Sequence, residues 1–426
     1  MSRIAAEGII MNELAYIKEL AKRQAEIAAL PIMQERLEKW YALNDGEIKS
    51  PLVSVEFNGL WEEYFPPLRC ESPLLREIEI QLLKNIRYHE SVDDDRVIPD
   101  YISISPQNWI LPFGIPIGQT HAISRDGKPG MGYLLHYVME DLERDYGKLK
   151  DTQTHIDVGL KQVKQKQSQM EEVLDGILGV KVHFPSFDIS LGNIALKFMS
   201  MEHMMIALYD YPELFHRFMD TLTRDYLKYM DDIEAAGALL CNNDGSHLGQ
   251  GSWCYTHDLP KSDTSNRPIT FADTWGYASF QETVGMSPMM FEEFFFSYME
   301  QITNRFGLLS YGCCEPVDEY WESSITRLTN MRKLSISPWC NEEYIAEQIR
   351  GRKIVYHRKP SPNYISVDAV FDDKAFANHI AKSVKAAAGC PLEVVFREEL
   401  TLRGEPWRYK RAVDITREQF ERYYKP

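Results

Sequence analysis

The sequence predicts an α/β fold, namely a (β/α)8 TIM barrel with an N-terminal helical extension. In the second half of the chain, short apolar strands alternate with helical patterns, as in βα units whose parallel sheet is covered on both faces. No glycine-rich turn follows an early strand, which disfavours a doubly wound dinucleotide-binding sheet. The 426 residues are 44% hydrophobic, enough for one large core. We expect residues 1–50 to form the extension and residues 51–426 the barrel.

The first half of the chain begins with a helical pattern. Ile10, Leu14, Ile17 and Leu20 recur at spacings of three and four residues, which predicts a helix over residues 9–44. The other elements predicted in this half are strands at 52–57 and 101–105 and helices at 73–83 and 137–179.

The second half is more regular, because short apolar runs and helical patterns follow one another in turn. The predicted strands lie at 238–241, 308–311, 334–337, 354–357 and 392–396. The predicted helices lie at 198–235, 287–305, 316–330, 341–350 and 372–388.

The charge balance and the cysteine count exclude several classes of protein. The chain has 47 Lys and Arg residues against 63 Asp and Glu residues, a formal net charge of −16. Nucleic acids and anionic membranes are bound by clustered positive charge, so neither is an expected partner. The sequence has no apolar stretch long enough to span a bilayer and no signal-peptide block at the N-terminus. Seven scattered cysteines do not suggest a disulfide framework. We expect a soluble, cytoplasmic protein.

The loops that follow the predicted strands carry the candidate catalytic residues. Active sites of (β/α)8 barrels lie at the C-terminal ends of the strands, on these loops. Carboxylic acids placed there can act as general acid or base. The candidate catalytic residues are Asp244, Asp273 and Glu398.

Other polar and aromatic residues of these loops could bind a small-molecule substrate. Asn242 and Asn243 close an apolar strand and need hydrogen-bond partners, which either a ligand or an Asx turn would supply. Aromatic rings in loops suit stacking on a flat or apolar ligand, and Arg358 is either an anion site or a surface charge. The candidate substrate-binding residues are Glu56, Asn58, Asn242, Asn243, His247, Trp275, Tyr311, Trp339 and Arg358.

Four residues after two of the strands have the side chains that zinc prefers. They are Cys313, Cys314, Glu315 and His357. A catalytic zinc ion needs three thiolate, imidazole or carboxylate ligands and an open position. Their spacing is not a local metal motif, so the alternative is that both cysteines pack as small residues and that His357 is a hydrogen-bonded polar side chain.

Three short motifs follow one another in the second half of the chain. The first is Asp210-Tyr211-Pro212-Glu213 with His216 and, after a helix, Gly237-Ala238. The second is Asp273-Thr274-Trp275-Gly276 with Ser287-Pro288 and Phe291-Glu292-Glu293-Phe294. The third is Tyr311-Gly312-Cys313-Cys314 with Ile336-Ser337. In this order, over residues 195–345, they resemble the uroporphyrinogen decarboxylase superfamily. The resemblance implies a (β/α)8 barrel and a homodimer.

The superfamily has two well-known branches, and the sequence departs from both. The decarboxylases hold their substrate with arginines of an N-terminal passage, where residues 55–61 of this chain contain no arginine. The methyltransferases bind zinc through a histidine and two cysteines; here Tyr311 stands at the histidine and Cys313 at one cysteine. The resemblance therefore favours a methyltransferase that moves a methyl group between a small ether, thiol or amine-type compound and a corrinoid carried by a partner protein.

Two alternatives to methyl transfer stay open. One is a decarboxylase without metal or cofactor, acting on a carboxylated substrate held by Arg358, Lys359 and Arg397, with Asp244 or Asp273 as proton donor. The other is a barrel that binds a ligand without catalysis, since a fold alone does not establish an activity.

Overall fold

The computed structural model describes residues 3–57, 60–106, 111–123, 129–149, 153–154, 159–184 and 187–425. Its helices are α1 (Arg3–Ala28), α2 (Pro31–Asn44), α3 (Trp61–Tyr64), α4 (Pro73–Arg87), α5 (Leu142–Asp145), α6 (Leu160–Leu174), α7 (Leu191–Phe198), α8 (Met201–Asp210), α9 (Pro212–Ala235), α10 (Pro288–Phe291), α11 (Ser297–Thr303), α12 (Glu342–Ile349), α13 (Asp373–Ala386) and α14 (Trp407–Tyr423). Two π-helical turns, Tyr88–Val92 and Glu292–Phe296, continue α4 and join α10 to α11.

The strands are distributed over the whole chain. They are β1 (Leu52–Val55), β2 (Tyr101–Ile104), β3 (Gly118–Ile123), β4 (Pro129–His136), β5 (Gly179–Val182), β6 (Phe187–Asp188), β7 (His247–Gly249), β8 (Ser252–Trp253), β9 (Trp275–Ala278), β10 (Leu308–Tyr311), β11 (Met331–Ile336), β12 (Val355–Arg358) and β13 (Leu392–Phe396).

A seven-stranded parallel sheet forms the centre of the molecule, in the order β1-β13-β12-β11-β10-β9-β6. Strands β2 and β5 form a separate parallel pair, and β3–β4 and β7–β8 are antiparallel hairpins. This confirms an α/β fold with a parallel sheet. Among the described residues no strand ladder joins the seven-stranded sheet to the β2–β5 pair, so closure into a ring is not observed.

Both faces of the central strands are buried, and successive side chains point to opposite faces. In β12, Val355 packs with Leu52 on the face of the sheet opposite α12 and α13. Arg358 of the same strand points to the other face, which the helices cover, and there it contacts Glu342 of α12 and Ser383 of α13. The two sets of side chains therefore belong to different parts of the molecule.

The hairpin β7–β8 packs against β13 of the sheet. Gly251 connects its strands with a positive φ of 78°, and a Cβ there would collide with the side chain of Val395 in β13. The Ser252 hydroxyl donates to Glu393 Oε2 at 3.0 Å, and Lys333 Nζ lies 2.8 Å from the same oxygen. The hairpin thereby fills the interior beneath the C-terminal ends of the strands.

The N-terminal helix α2 lies at the opposite end of the strands. Trp40 packs with Leu52 and Val355, which begin β1 and β12, and its indole N–H donates to the carbonyl of Asp95 at 2.8 Å. Helix α1 packs along α4 and α6. None of the described helices is long and apolar enough to cross a membrane.

Several sequence predictions about elements are wrong. The helix predicted over 9–44 is two helices, since Pro31 begins the second and has no N–H for the first. Among the residues of 137–179 that the structure describes, only α5 and α6 are α-helical, and β5 begins at Gly179. Residues 316–330 form turns and a short 3₁₀ helix, Ile325–Arg327, because the Tyr320 hydroxyl is tied to the carbonyls of Thr283 and Met286.

The strand predicted at 238–241 is absent from the sheet, and a strand that was not predicted takes its place. The side-chain amide of Asn242 forms hydrogen bonds with both the N–H and the carbonyl of Trp275. These are the hydrogen bonds that the backbone of a neighbouring strand would otherwise form. Strand β9 follows, although residues 271–276 were predicted to be a loop.

Candidate active site

Two adjoining cavities lie at the C-terminal ends of the strands. The larger, which we call the mouth cavity, has a volume of about 540 Å³ and is bounded by residues at the ends of five parallel strands: Glu56, Ser105, His183, Asp188 and Arg397. The smaller, which we call the side cavity, has a volume of about 330 Å³ and lies between β1 and β2 beneath α4. The two share Glu56, Ser103, Gly245, His247 and Trp253.

A charged group stands where the two cavities meet. Arg397 Nε lies 2.8 Å from Glu56 Oε2, and His247 Nε2 lies 3.7 Å from the other oxygen of Glu56. Burial lowers the pKa of His247, and the charge of Glu56 opposes that shift. His247 is therefore a neutral imidazole at neutral pH, able to accept a hydrogen bond or a proton.

Tyr277 of β9 forms a wall of the mouth cavity. Burial raises its pKa well above 10, so the phenol keeps its proton over the whole physiological range. Gly249 of the β7–β8 hairpin lies against the ring, where a Cβ would sit 3.7 Å from it. The phenol is thus held in place as a proton donor.

A buried lysine and a pair of cysteines lie next to the mouth cavity. Lys359 Nζ donates to Gln250 Oε1 at 2.8 Å and also to the carbonyl of Cys313. The Sγ atoms of Cys313 and Cys314 are 3.5 Å apart. The hydrogen bond from Cys313 and the charge of Lys359 lower the pKa of Cys314 to about 6, while that of Cys313 is raised.

The four predicted metal ligands do not fit a zinc ion in this arrangement. Both oxygens of Glu315 accept backbone N–H groups, from Phe280 at 2.9 Å and from Cys313 at 2.8 Å. His357 is fully buried, and its pKa is lowered by burial and by the neighbouring charges of Lys333, Lys359 and Arg397. In the described part of the chain no three His, Cys, Asp or Glu side chains are grouped to hold a metal.

The three candidate catalytic acids lie in different places. Asp244 pairs with Lys181 at 2.5 Å, in a groove beside α2. Asp273 pairs with Arg267, whose hydrogen bonds lower the Asp273 pKa to about 2, and it precedes β9, so it lies at the N-terminal edge of the sheet. Glu398 is half exposed and lies 3.5 Å from Arg397 at the mouth. The structure does not bring the three together.

Of the candidate substrate-binding residues, Glu56 and His247 line both cavities. Asn242 is used by the backbone of Trp275, and the Asn243 amide donates to the carbonyls of Thr256 and Leu259. The protein itself therefore supplies the hydrogen-bond partners that these asparagines need.

The remaining candidates that belong to the described residues do not line either cavity. Trp275 is buried, and its indole N–H donates to the Cys254 carbonyl at 3.0 Å. Tyr311 and Arg358 point to the helix side of the sheet, Arg358 as an ion pair with Glu342. Trp339 is 70% exposed in the loop after β11. Asn58 lies outside the described residues.

Sequence reasoning missed several residues of the cavities. His183 follows β5, which was hidden at the end of a predicted helix, and Tyr277 lies in the unpredicted β9. Lys84 and Arg96 of the side cavity precede β2 rather than follow a strand. One feature of the sequence indicates that Tyr277 lies in a strand, namely its aromatic side chain after Trp275-Gly276, since aromatic residues favour strands.

Comparison with known proteins gives a match in structure but not in sequence. No family model matches the chain, and no curated protein matches its sequence. A methyltransferase from Methanosarcina mazei has a similar fold, with a TM-score of 0.51 and 13% identity. The match covers 91% of this chain and 99% of the other. At this identity the likeness shows a shared fold.

Proposed function

We propose that this protein is a methyltransferase whose parallel strands form a (β/α)8 barrel. It moves a methyl group between a small ether, thiol or amine-type compound in the mouth cavity and a corrinoid carried by a partner protein. The observation that carries the proposal is the mouth cavity itself, because active sites of such folds lie at the C-terminal strand ends. The fold shared with a methyltransferase along nearly the whole chain supports it.

The chemical requirement of methyl transfer is a stabilised leaving group. As the bond from the methyl carbon breaks, the leaving oxygen, sulfur or nitrogen keeps the electron pair and must take up a proton or bind a cation. Tyr277 is a protonated donor in the cavity wall. We assign Tyr277 as the donor of the proton that the leaving atom receives. Glu56, His247 and Arg397 orient the substrate.

The corrinoid protein needs a surface next to the cavity. Three exposed apolar side chains follow the strands of this region: Trp339 after β11, Val370 after β12 and Leu400 after β13, at 70%, 77% and 54% exposure. Exposed apolar groups of this kind favour a protein partner. We assign no step to zinc, because both oxygens of Glu315 accept backbone N–H groups and no three His, Cys, Asp or Glu side chains of the described residues are grouped to hold a metal.

Methyl transfer can be tested directly with free cob(I)alamin as acceptor and a panel of methyl ethers, methyl thioethers and methylamines. The absorbance change on methylation of the cobalt reports the reaction. We expect turnover with at least one donor, and a loss of about 10²-fold or more in the Tyr277→Phe variant, as for removal of a general acid. The matched control is Tyr209→Phe, since Tyr209 is 73% exposed on α8.

The outcomes separate the competing functions. Release of carbon dioxide from a carboxylic acid without any methyl transfer would establish the decarboxylase alternative in place of this proposal. Binding of the panel compounds without turnover of any of them would indicate a ligand-binding barrel. Equal activity of the two tyrosine variants would remove Tyr277 from the mechanism.

A further inference from the structure

The side cavity exists because β1 and β2 are held apart. The N–H groups of Val53 and Val55 on the free edge of β1 donate to the carboxylates of Asp95 and Asp94, each at 2.8 Å. In the described chain these carboxylates replace the strand that would otherwise pair there. The opening between the strands is therefore a built feature of the fold.

Two cations line the side cavity. Arg96 is fixed in position, with its guanidinium 3.4 Å from the ring centre of Tyr88 and its Nη2 donating to the Val55 carbonyl at 2.7 Å. Lys84 comes from α4, and its ammonium group makes no hydrogen bond or ion pair with the described residues. The cavity therefore contains an ammonium group with no anionic partner of its own.

No acidic side chain among the described residues forms an ion pair with Lys84. Glu56 is the one acidic side chain among the described residues that line the side cavity, and it is paired with Arg397. Asp94 lies 4.0 Å from Arg96 and offsets that charge. Burial and the charge of Arg96 lower the pKa of Lys84, and the charge of Glu56 opposes that shift. Among the described residues the Lys84 ammonium group nevertheless has no ion-pair partner.

We propose that the side cavity is a subsite for a carboxylate, bound by Lys84 and Arg96. A carboxylate supplies the ion-pair partner that the Lys84 ammonium group lacks among the described residues. The ring of Tyr101 and the indole of Trp253 line the same cavity and suit a flat carbon skeleton next to the carboxylate.

The two cavities adjoin, with five lining residues in common. On the proposed function, the carboxylate of the methyl donor lies in the side cavity and its methyl group faces Tyr277 in the mouth cavity. This second statement rests on the proposed function. The carboxylate subsite does not, because it follows from the side cavity alone.

Isothermal titration calorimetry of the full chain tests the subsite without any methyl acceptor. The probe is benzoate, and benzamide is its neutral equivalent in shape. We expect saturable binding of benzoate and no measurable binding of benzamide. Lys84→Met should weaken benzoate binding at least tenfold, and Lys84→Arg should retain most of it. Lys164→Met on α6, which removes an exposed lysine, should leave binding unchanged.

Three results would overturn the subsite: equal binding of benzoate and benzamide, unchanged binding in Lys84→Met, or tighter binding of inorganic phosphate than of benzoate. Lys84 has no folded-state partner, so Lys84→Met should melt at or above the wild-type temperature, which separates lost binding from lost folding. Because no methyl transfer is measured, benzoate binding can fail while methyl transfer stands, and the reverse also holds.

Discussion

At the scale of the residue, Cys313 and Cys314 show how neighbouring thiols become unlike. They are adjacent in sequence with Sγ atoms 3.5 Å apart, yet the pKa of Cys314 is lowered and that of Cys313 is raised. One thiol donates and the other accepts, and the ammonium group of Lys359 favours the accepting thiolate. The sequence contains the pair, but it does not say which of the two carries the charge.

The reactivity of Cys314 toward iodoacetamide tests this asymmetry. The pKa of Cys314 is lowered to about 6, so its alkylation rate should rise through pH 6 and be nearly constant above neutrality. An ordinary thiol, with a pKa of about 8.5, would still be gaining rate there. Peptide mass spectrometry after pulsed labelling gives the rate at each pH.

Cys241 is the internal control, since burial raises its pKa and it is half-buried like Cys314. Cys313→Ala removes the hydrogen bond and should move the Cys314 midpoint upward. A midpoint at the ordinary thiol value in the unaltered protein would contradict the assignment of the thiolate to Cys314.

Asn242 and Asn243 show what residue-level reasoning can reach. Their position at the end of an apolar run indicates correctly that their amides need partners. The partners are the backbone of Trp275 and the carbonyls of Thr256 and Leu259, which lie 13 to 33 residues away. The local sequence therefore shows that a hydrogen-bond partner is needed, whereas the identity of the partner depends on how the chain folds.

At the scale of the element, β10 to β13 lie close to their predicted positions, but the direction of their side chains could not be predicted. Their residues are buried on both faces, so the alternation that reveals an outward face is missing. His357 and Arg358 were both predicted at the mouth, and adjacent residues of a strand cannot share one face. Arg358 faces the helices instead.

The interior of the sheet contains an ion pair whose cost can be measured. Lys333 of β11 and Glu393 of β13 are both fully buried, 2.8 Å apart, and share Ser252 of the hairpin. Removing one partner leaves the other charge buried, so Glu393→Leu should lower the free energy of unfolding by about 3–5 kcal/mol. Adding Lys333→Met should recover much of that loss. Urea unfolding of both variants gives the two values.

A surface pair on α9 provides the control for this experiment. Lys228 and Asp232 are 2.7 Å apart with about half of each side chain exposed. Asp232→Leu should cost less than about 1 kcal/mol, because water already solvates both charges. If Glu393→Leu were equally mild, the interior around Lys333 would have to admit water.

At the scale of the whole molecule, the alternation of strands and helices was sufficient to predict an α/β fold with a parallel sheet. The separation of β1 from β2 was not predictable. It depends on Asp94 and Asp95 meeting the edge of β1, across about 40 residues of chain, and an acidic run gives no such indication in sequence. The side cavity, which follows from that separation, was missed for the same reason.

Buried titratable groups give the whole molecule a stability optimum. Burial lowers the pKa of His183 and His379 to about 4, so below pH 6.5 the unfolded chain binds more protons and stability rises with pH. Burial raises the pKa of Glu399 to about 8, so between its unfolded value of 4.5 and 8 the folded chain holds the extra proton and stability falls with pH. Above pH 6.5, Glu399 is the only one of these three residues that still changes the stability with pH. The stability is therefore highest near pH 6.5.

Urea unfolding between pH 6.5 and 8 tests this balance. One proton of difference is worth about 1.4 kcal/mol per pH unit, so the free energy of unfolding should fall by about 1–2 kcal/mol over this range. Glu399→Gln cannot ionise and still accepts the hydrogen bond of Tyr409, so its stability should change little over the same range. Glu172→Gln, an exposed change on α6, should behave as the unaltered protein. A decline of equal size in Glu399→Gln would mean that another buried acid, such as Asp94 or Glu282, controls the alkaline side.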